Sequence, residues 1–184
     1  MLKWFKRKKS KDDWVPAYFV PVEWNGLTIY VTPDYFEKEG VRWPVGMTEA
    51  TKILRNNDCV LPNTSMVLEI WRQADIRLTP IPLPPGPQMT TEEYFRTHDR
   101  LINEQLERHG DVGGKLIAGH KKDIVLSSNP SKVAIYGWHQ QDGRAIQPYS
   151  TVHGYDYRDY SHGLRLVYRY AKDELGNKVD LGGI

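Results

Sequence analysis

Five of the chain's twelve prolines fall in RLTPIPLPPGPQM, residues 77–89. Each proline ring fixes φ and removes an amide donor, so this stretch is neither a helix nor an inner strand. It is expected to be an extended connector, held by packing or not at all. It divides a 184-residue chain, long enough for one domain with a proper core.

Upstream of the connector, AYFVPVEW (17–24) and LTIYVTP (27–33) are two strands around Asn25-Gly26, a strong hairpin signal. A short helix is expected over 48–57 and a better one over about 64–75. In the latter, Val67, Ile70, Trp71 and Ala74 fall on one face. Downstream, Thr90 and Glu93 form a capping box and Gly110 a stop, which bound a helix over 90–109. Its apolar stripe of Tyr94, Phe95, Leu101, Ile102 and Leu106 also carries His98 and Gln105, either as hydrogen-bonded core residues or as the floor of a polar site.

From Lys115 the pattern becomes β. KLIAGH, DIVLSS, VAIYGWH (133–139) and RAIQPYS are expected strands, with a hairpin at Asp142-Gly143 and another at Gly176-Asn177. The expected fold is α+β, with a mixed N-terminal half and a mostly antiparallel C-terminal sheet. Its core should include Val133, Ile135, Leu164, Leu166 and Val167. Residues 14–184 are expected to form one domain after a basic tail, 1–13.

That tail carries Lys3, Lys6, Arg7, Lys8, Lys9 and Lys11 without a balancing acid before Asp12. The remaining nineteen basic residues face twenty-three acidic ones, so the body is mildly acidic. The tail suits an anionic surface or polymer, but the body is a poor fit to sequence-specific nucleic acid. No apolar run reaches the length of a membrane span, so no integral membrane segment is expected. No apolar stretch follows the basic start as in a secretory signal, so the chain is expected to be cytoplasmic as synthesised. Cys59 alone excludes an internal disulfide and a cysteine-built zinc site, and its apolar neighbours suit a buried small residue.

Four of the six histidines, His120, His139, His153 and His162, fall within 43 consecutive residues at expected strand ends and loops. Lys121, Lys122, Asp123, Tyr155, Asp156, Tyr157, Asp159, Tyr160, Ser161 and Arg165 accompany them, a polar and aromatic density that suits a cleft lining. Two chemistries use these residues. In one, His120, Asp123 and His139 hold a zinc ion with an open position for water, although no HExxH occurs and extended backbone over 120–123 would separate His120 from Asp123. In the other, His162 moves a proton, Asp159 or Tyr160 orients it, Arg165 binds a carboxylate or an oxyanion, and His153 completes the catalytic set. Convergence of His162 with Arg165 requires a bend at Gly163. Lys122, Tyr155, Tyr160 and Trp138 are the expected substrate contacts. Glycine-rich nucleotide motifs and a GxSxG elbow are absent.

GHKKDIV (119–125), VAIYGWH (133–139), IQP (146–148) and DYSHGLRLV (159–167), with PNTSMVLEIWRQADIRLTPIPLPPGPQM upstream, resemble an uncharacterised group of bacterial and phage proteins over about residues 26–168. That resemblance implies no activity. Locally, SHGLRL (161–166) is similar to the SHGCIR segment of L,D-transpeptidases, which cross-link or trim peptidoglycan. His162 and Gly163 match, Arg165 falls on or beside the family's arginine, and His153-Gly154 resembles the upstream His-Gly. Leu164 stands where the nucleophilic cysteine belongs, which removes the thiol chemistry.

These readings lead to the expectation of a hydrolase with a histidine- and aspartate-rich cleft, acting on cell-wall peptide or glycan in phage lysis or wall remodelling. Zinc is the cofactor if there is one, and a cell-wall polymer or anionic envelope surface the partner. The alternative is a non-catalytic phage virion or interaction module whose His/Tyr cluster is structural.

Overall fold

Asn25 and Gly26 both have left-handed backbone, φ 50° and 75°, as a two-residue hairpin loop requires. They join β1 (Val20–Trp24) to β2 (Leu27–Val31) in a register that sets Trp24 opposite Leu27. The computed structural model describes residues 14–183, so the basic segment 1–13 lies outside the described residues. Next come the small hairpin β3 (Glu37–Lys38) and β4 (Val41–Arg42), helix α1 (Met47–Asn56) and β5 (Cys59–Val60). Helix α2 (Thr64–Gln73) is capped by the Asn63 side chain, which accepts a bond from the Met66 amide at 2.9 Å.

β6 (Ile76–Arg77) leads into the proline segment, and α3 (Glu92–Leu106) follows it. The cap of α3 is Thr91, not Thr90: the Thr91 hydroxyl accepts from the Tyr94 amide, while Thr90 closes a 3-10 turn over Pro87–Thr90. β7 (Ile117–Ala118), β8 (Lys122–Val125), β9 (Ala134–His139) and β10 (Ala145–Ser150) follow. The chain then supplies β11 (His162–Gly163), β12 (Val167–Tyr168), β13 (Tyr170–Asp173) and β14 (Lys178–Asp180).

The class is α+β, with the helices in the N-terminal half and most strands in the C-terminal half. The strand pairing departs from a self-contained C-terminal sheet. One sheet runs β14-β13-β2-β12-β5, with β1 on the other edge of β2. The other runs β10-β9-β8-β11, and its β11 is parallel to β8. The first and last of the described strands, β1 and β14, are thus knitted into one antiparallel sheet. The expected core residues Val133, Ile135, Leu164, Leu166 and Val167 are all buried. Helix α2 packs Met66, Ile70 and Trp71 against the larger sheet. Phe95 of α3 joins Ile124, Ile135, Trp138 and Leu164 of the smaller sheet's core.

Side chains hold the proline connector. Gln105 both accepts from the Thr79 amide (3.0 Å) and donates to the Thr79 carbonyl (2.9 Å), which explains a polar residue on the α3 stripe. The Tyr160 hydroxyl pairs with the Leu83 amide (2.8 Å) and carbonyl (3.3 Å), and the Tyr94 hydroxyl donates to Pro84 (3.2 Å). These bonds supply the partners that a proline-rich backbone cannot find in itself. Among the described residues, no helix is long and apolar enough to cross a membrane.

Candidate functional site

The parallel pairing of β11 with β8 sets His162 opposite Lys122 and Gly163 opposite Asp123. Just before β11 the chain turns tightly, with the His162 amide donating to the Asp159 carbonyl at 3.1 Å. That turn folds the Asp159 carboxylate back over the strand entry. Its Oδ1 accepts from the Ser161 amide (2.8 Å) and hydroxyl (2.5 Å). Its Oδ2 accepts from the Tyr157 hydroxyl (3.4 Å) and lies 3.6 Å from His162 Nε2. His153 lies flat on Tyr157, with centroids 4.0 Å apart and planes 11° apart. The His162 ring sits under both, 6.2 Å from His153 and 5.7 Å from Tyr157.

The site grades from surface to interior. His153 and Tyr157 are half-buried, Asp159 is 2% exposed, and Ser161 and His162 are wholly buried. Burial alone would raise the Asp159 pKa, but His162 and the Ser161 hydrogen bonds outweigh it and hold the carboxyl below its ordinary value. Burial pushes His162 well below the ordinary imidazole value despite the carboxylate beside it. At neutral pH the pair is therefore a neutral imidazole next to a carboxylate, and not an ion pair. His153 is also lowered, by burial first, with Asp159 opposing and Lys122 and Lys132 assisting. Neither ring nitrogen of His162 has a hydrogen-bond partner.

Arg165 is not part of this array. Gly163 stays within the short strand β11 without a left-handed φ, and the Arg165 side chain goes elsewhere. Arg165 is fully buried and donates to the carbonyls of Thr32 (2.8 Å) and Ile117 (2.7 Å). Its guanidinium lies 4.3 Å from the Tyr35 ring centroid, and its Nε is 3.7 Å from Asp123 Oδ1. It ties β7 to the chain after β2 and is a structural cation.

The zinc set is not brought together either. His120 Nε2 pairs with Asp34 Oδ1 at 2.9 Å, Asp123 Oδ2 accepts from the Tyr35 hydroxyl at 2.9 Å, and His139 packs on Trp71 at 5.5 Å between centroids. Among the described residues, no three His, Cys, Asp or Glu side chains are placed to share an ion.

Of the expected substrate contacts, Lys122 is half-buried, and its charge acts on Asp159, His162 and His153. Its Nζ lies 5.1 Å above the Trp138 ring. Trp138 follows Gly137 in a left-handed kink of β9 (φ 104° and 56°) and is buried. It packs with Tyr160 (6.4 Å) and with His98 (6.2 Å). Tyr160 is spent on the proline connector. His98 is a core residue among these rings, with its pKa pushed down to about 2 by burial. Tyr155 is exposed, and its carbonyl accepts from the Met47 amide at 3.3 Å.

Tyr157, Ser161 and Asp156 belong to the polar stretch that the sequence marks as a cleft lining, and the structure gives each a specific contact that the sequence did not assign. Tyr157 lies two residues before Asp159, a spacing that puts both on one side of an extended segment, and that was the available signal. Asp156 bonds to Thr48, 108 positions away, and nothing local marks that contact. Comparison with protein-family models, with curated proteins and with solved structures finds no match to this chain.

Proposed function

We propose that the protein is a hydrolase in which His153 and His162 move protons under the control of Asp159, with cell-wall peptide or glycan as the substrate. The observation that carries this reading is the graded array of half-exposed imidazole, buried imidazole and hydrogen-bonded carboxylate. His153 is the member open to solvent. It would take the proton of an attacking water and return it to the leaving group, so proton and bond changes balance. Asp159 holds the negative potential behind it, with the neutral His162 between the two, and Lys122 supplies a cation for charge that develops on the substrate. The cell-wall assignment is supported by the likeness of SHGLRL to the L,D-transpeptidase segment, with Leu164 in place of its thiol. The metal-free form is favoured because His120 Nε2 is engaged by Asp34 and Asp123 Oδ2 by Tyr35, and among the described residues no three such side chains converge.

Digestion of purified sacculi tests this, with soluble products separated by chromatography and identified by mass. New amino groups would assign an amide bond, and new reducing ends a glycosidic one. His153→Ala should cut product release by a factor on the order of 10²–10⁴ while leaving thermal unfolding near that of the parent. Equal release by parent and His153→Ala would overturn the reading.

The second reading, a non-catalytic interaction module with a structural His/Tyr cluster, has one observation in its favour: His162 has no exposed surface. His162→Ala beside His109→Ala separates the two. A structural role predicts a large loss of stability for the first alone, and a working role predicts lost turnover with stability kept.

A further inference from the structure

His162 has zero exposure, and among the described residues neither of its ring nitrogens makes a hydrogen bond, although Asp159 Oδ2 stands 3.6 Å from Nε2. The rings of His153 and Tyr157, from the span 151–158 between β10 and the turn at Asp159, lie against His162. No side chain of this span belongs to an apolar cluster of the protein. Val152 is 73% exposed, and Gly154, Asp156 and Arg158 also face solvent. Among the described residues, few bonds tie the span to the rest of the molecule. They are the isolated Lys132–Gly154 bridge, the weak Met47–Tyr155 bond at 3.3 Å, the Tyr157–Asp159 bond at 3.4 Å, and a clasp.

The clasp is the short one. Asp156 accepts from both the amide (2.7 Å) and the hydroxyl (2.8 Å) of Thr48 in the first turn of α1. It thereby caps a helix whose own N-cap residue, Gly46, has no side chain to offer. Gly46 also makes room for it. A Cβ there would lie 2.8 Å from the Asp156 carbonyl oxygen and 2.9 Å from its Oδ1. The Gly46 φ of −78° suits any residue, so the glycine serves the close approach and not the backbone.

We propose that residues 151–158 are a lid over His162, latched to the start of α1 by Asp156, and that the His162 imidazole is reached only when this latch releases. A segment held by a few exposed polar bonds, with no apolar anchor, opens at low free-energy cost without the rest of the molecule. Opening carries His153 and Tyr157 away from His162 and leaves Asp159 in place, because Asp159 is bound to Ser161 below the lid. The lid bears on the proposed chemistry, and rests on that reading, since its closed state is what holds His153 against His162 and Asp159. Its test does not use turnover, so the two can fail separately.

The test is histidine modification by diethylpyrocarbonate on the full-length protein, with each site's rate followed by peptide mass spectrometry. In the parent, His153 should react readily and His162 slowly. Gly46→Ala and Asp156→Ala should each accelerate His162 by roughly ten- to hundredfold, the worth of a hydrogen bond to a charged group. His98 and His120, both buried elsewhere, should keep their parent rates. An unchanged His162 rate in both variants would overturn the lid. So would a His162 rate equal to that of His153 in the parent. Acceleration of His98 and His120 along with His162 would also overturn it, because the opening would then be global.

Discussion

Arg42 donates through Nε (2.9 Å) and Nη2 (2.7 Å) to a single oxygen of Asp34, Oδ2, and both side chains are nearly excluded from solvent. Its Nη1 reaches Asp99 (2.9 Å) and Asn103 (2.7 Å) on α3, and the other Asp34 oxygen pairs with His120. One cation thus joins the loop after β2, strand β4, helix α3 and the approach to β8. Burial would raise the Asp34 pKa, yet Arg42 and His120 outweigh it and hold the carboxyl far below the usual range. Arg42→Met strands two buried carboxylates and should cost about 3–5 kcal/mol. Urea unfolding of the variant checks this; a loss under about 1 kcal/mol would show the network to be replaceable.

Stability should fall on acidification from pH 7 to 5. Burial pushes His98 down to about 2 and His139 to about 4, and lowers His120 and His162 as well. The unfolded chain takes up a proton at each of these near 6.5. Their contribution is therefore complete above about 6.5 and is lost as pH drops toward the folded values. Lys121, wholly buried and pushed down to about 7, adds a decline from the ordinary lysine range down to that value. Asp123, pushed up to about 6 by burial, opposes the trend, because the folded state binds its proton first. Five imidazoles, His153 among them, against two carboxyls, Asp123 and Glu37, set the sign. Melting temperatures across this range check it, and a curve that is flat or rises toward pH 5 would contradict it.

Gly163→Ala should be strongly destabilising. The added Cβ would lie 2.6 Å from Tyr35 Cδ1 and 2.9 Å from Lys121 Cβ, between two fully buried side chains. Overpacking of this kind costs about 1–3 kcal/mol, and the top of that range is expected here. Gly154→Ala, with nothing within 4 Å of its added Cβ, is the control and should change stability little. Thermal unfolding of the two variants side by side gives the comparison.

Loosening the proline connector should be local. Gln105→Ala removes both bonds to Thr79, and Tyr160→Phe removes both to Leu83. Each should raise amide exchange at Thr79 or Leu83 while leaving β8 and β9 protected. Exchange that rises across the smaller sheet as well would mean the connector is part of its core.

What was legible in the sequence is what local chemistry encodes. Asn25-Gly26 marked its hairpin because both positions need a positive φ, and the α2 face was visible in the spacing of Val67, Ile70 and Trp71. The helix start at Thr91 was missed by one residue because Thr90 and Thr91 offer the same hydroxyl, and only the 3-10 turn before them decides between the two. The grouping of His153, Asp159 and His162 was visible as a density of polar residues. The separation of Arg165 from His162 was implicit in the odd spacing of two residues on extended backbone. The pairing of β2 with β12 and β13, and the Asp156 latch, join segments more than a hundred residues apart. No local pattern carries such a register.

Strand β2 receives β1 on one edge within the first 31 residues, but its other edge waits for β12 at Val167 and β13 beyond it. At a synthesis rate of roughly 5–20 residues per second, that wait lasts on the order of ten seconds. Throughout it, a row of backbone donors and acceptors stands open to any passing strand. The seam closes only when the residues through about 173 have left the ribosome, so a translation product interrupted before them would leave an adhesive edge and not a smaller folded protein.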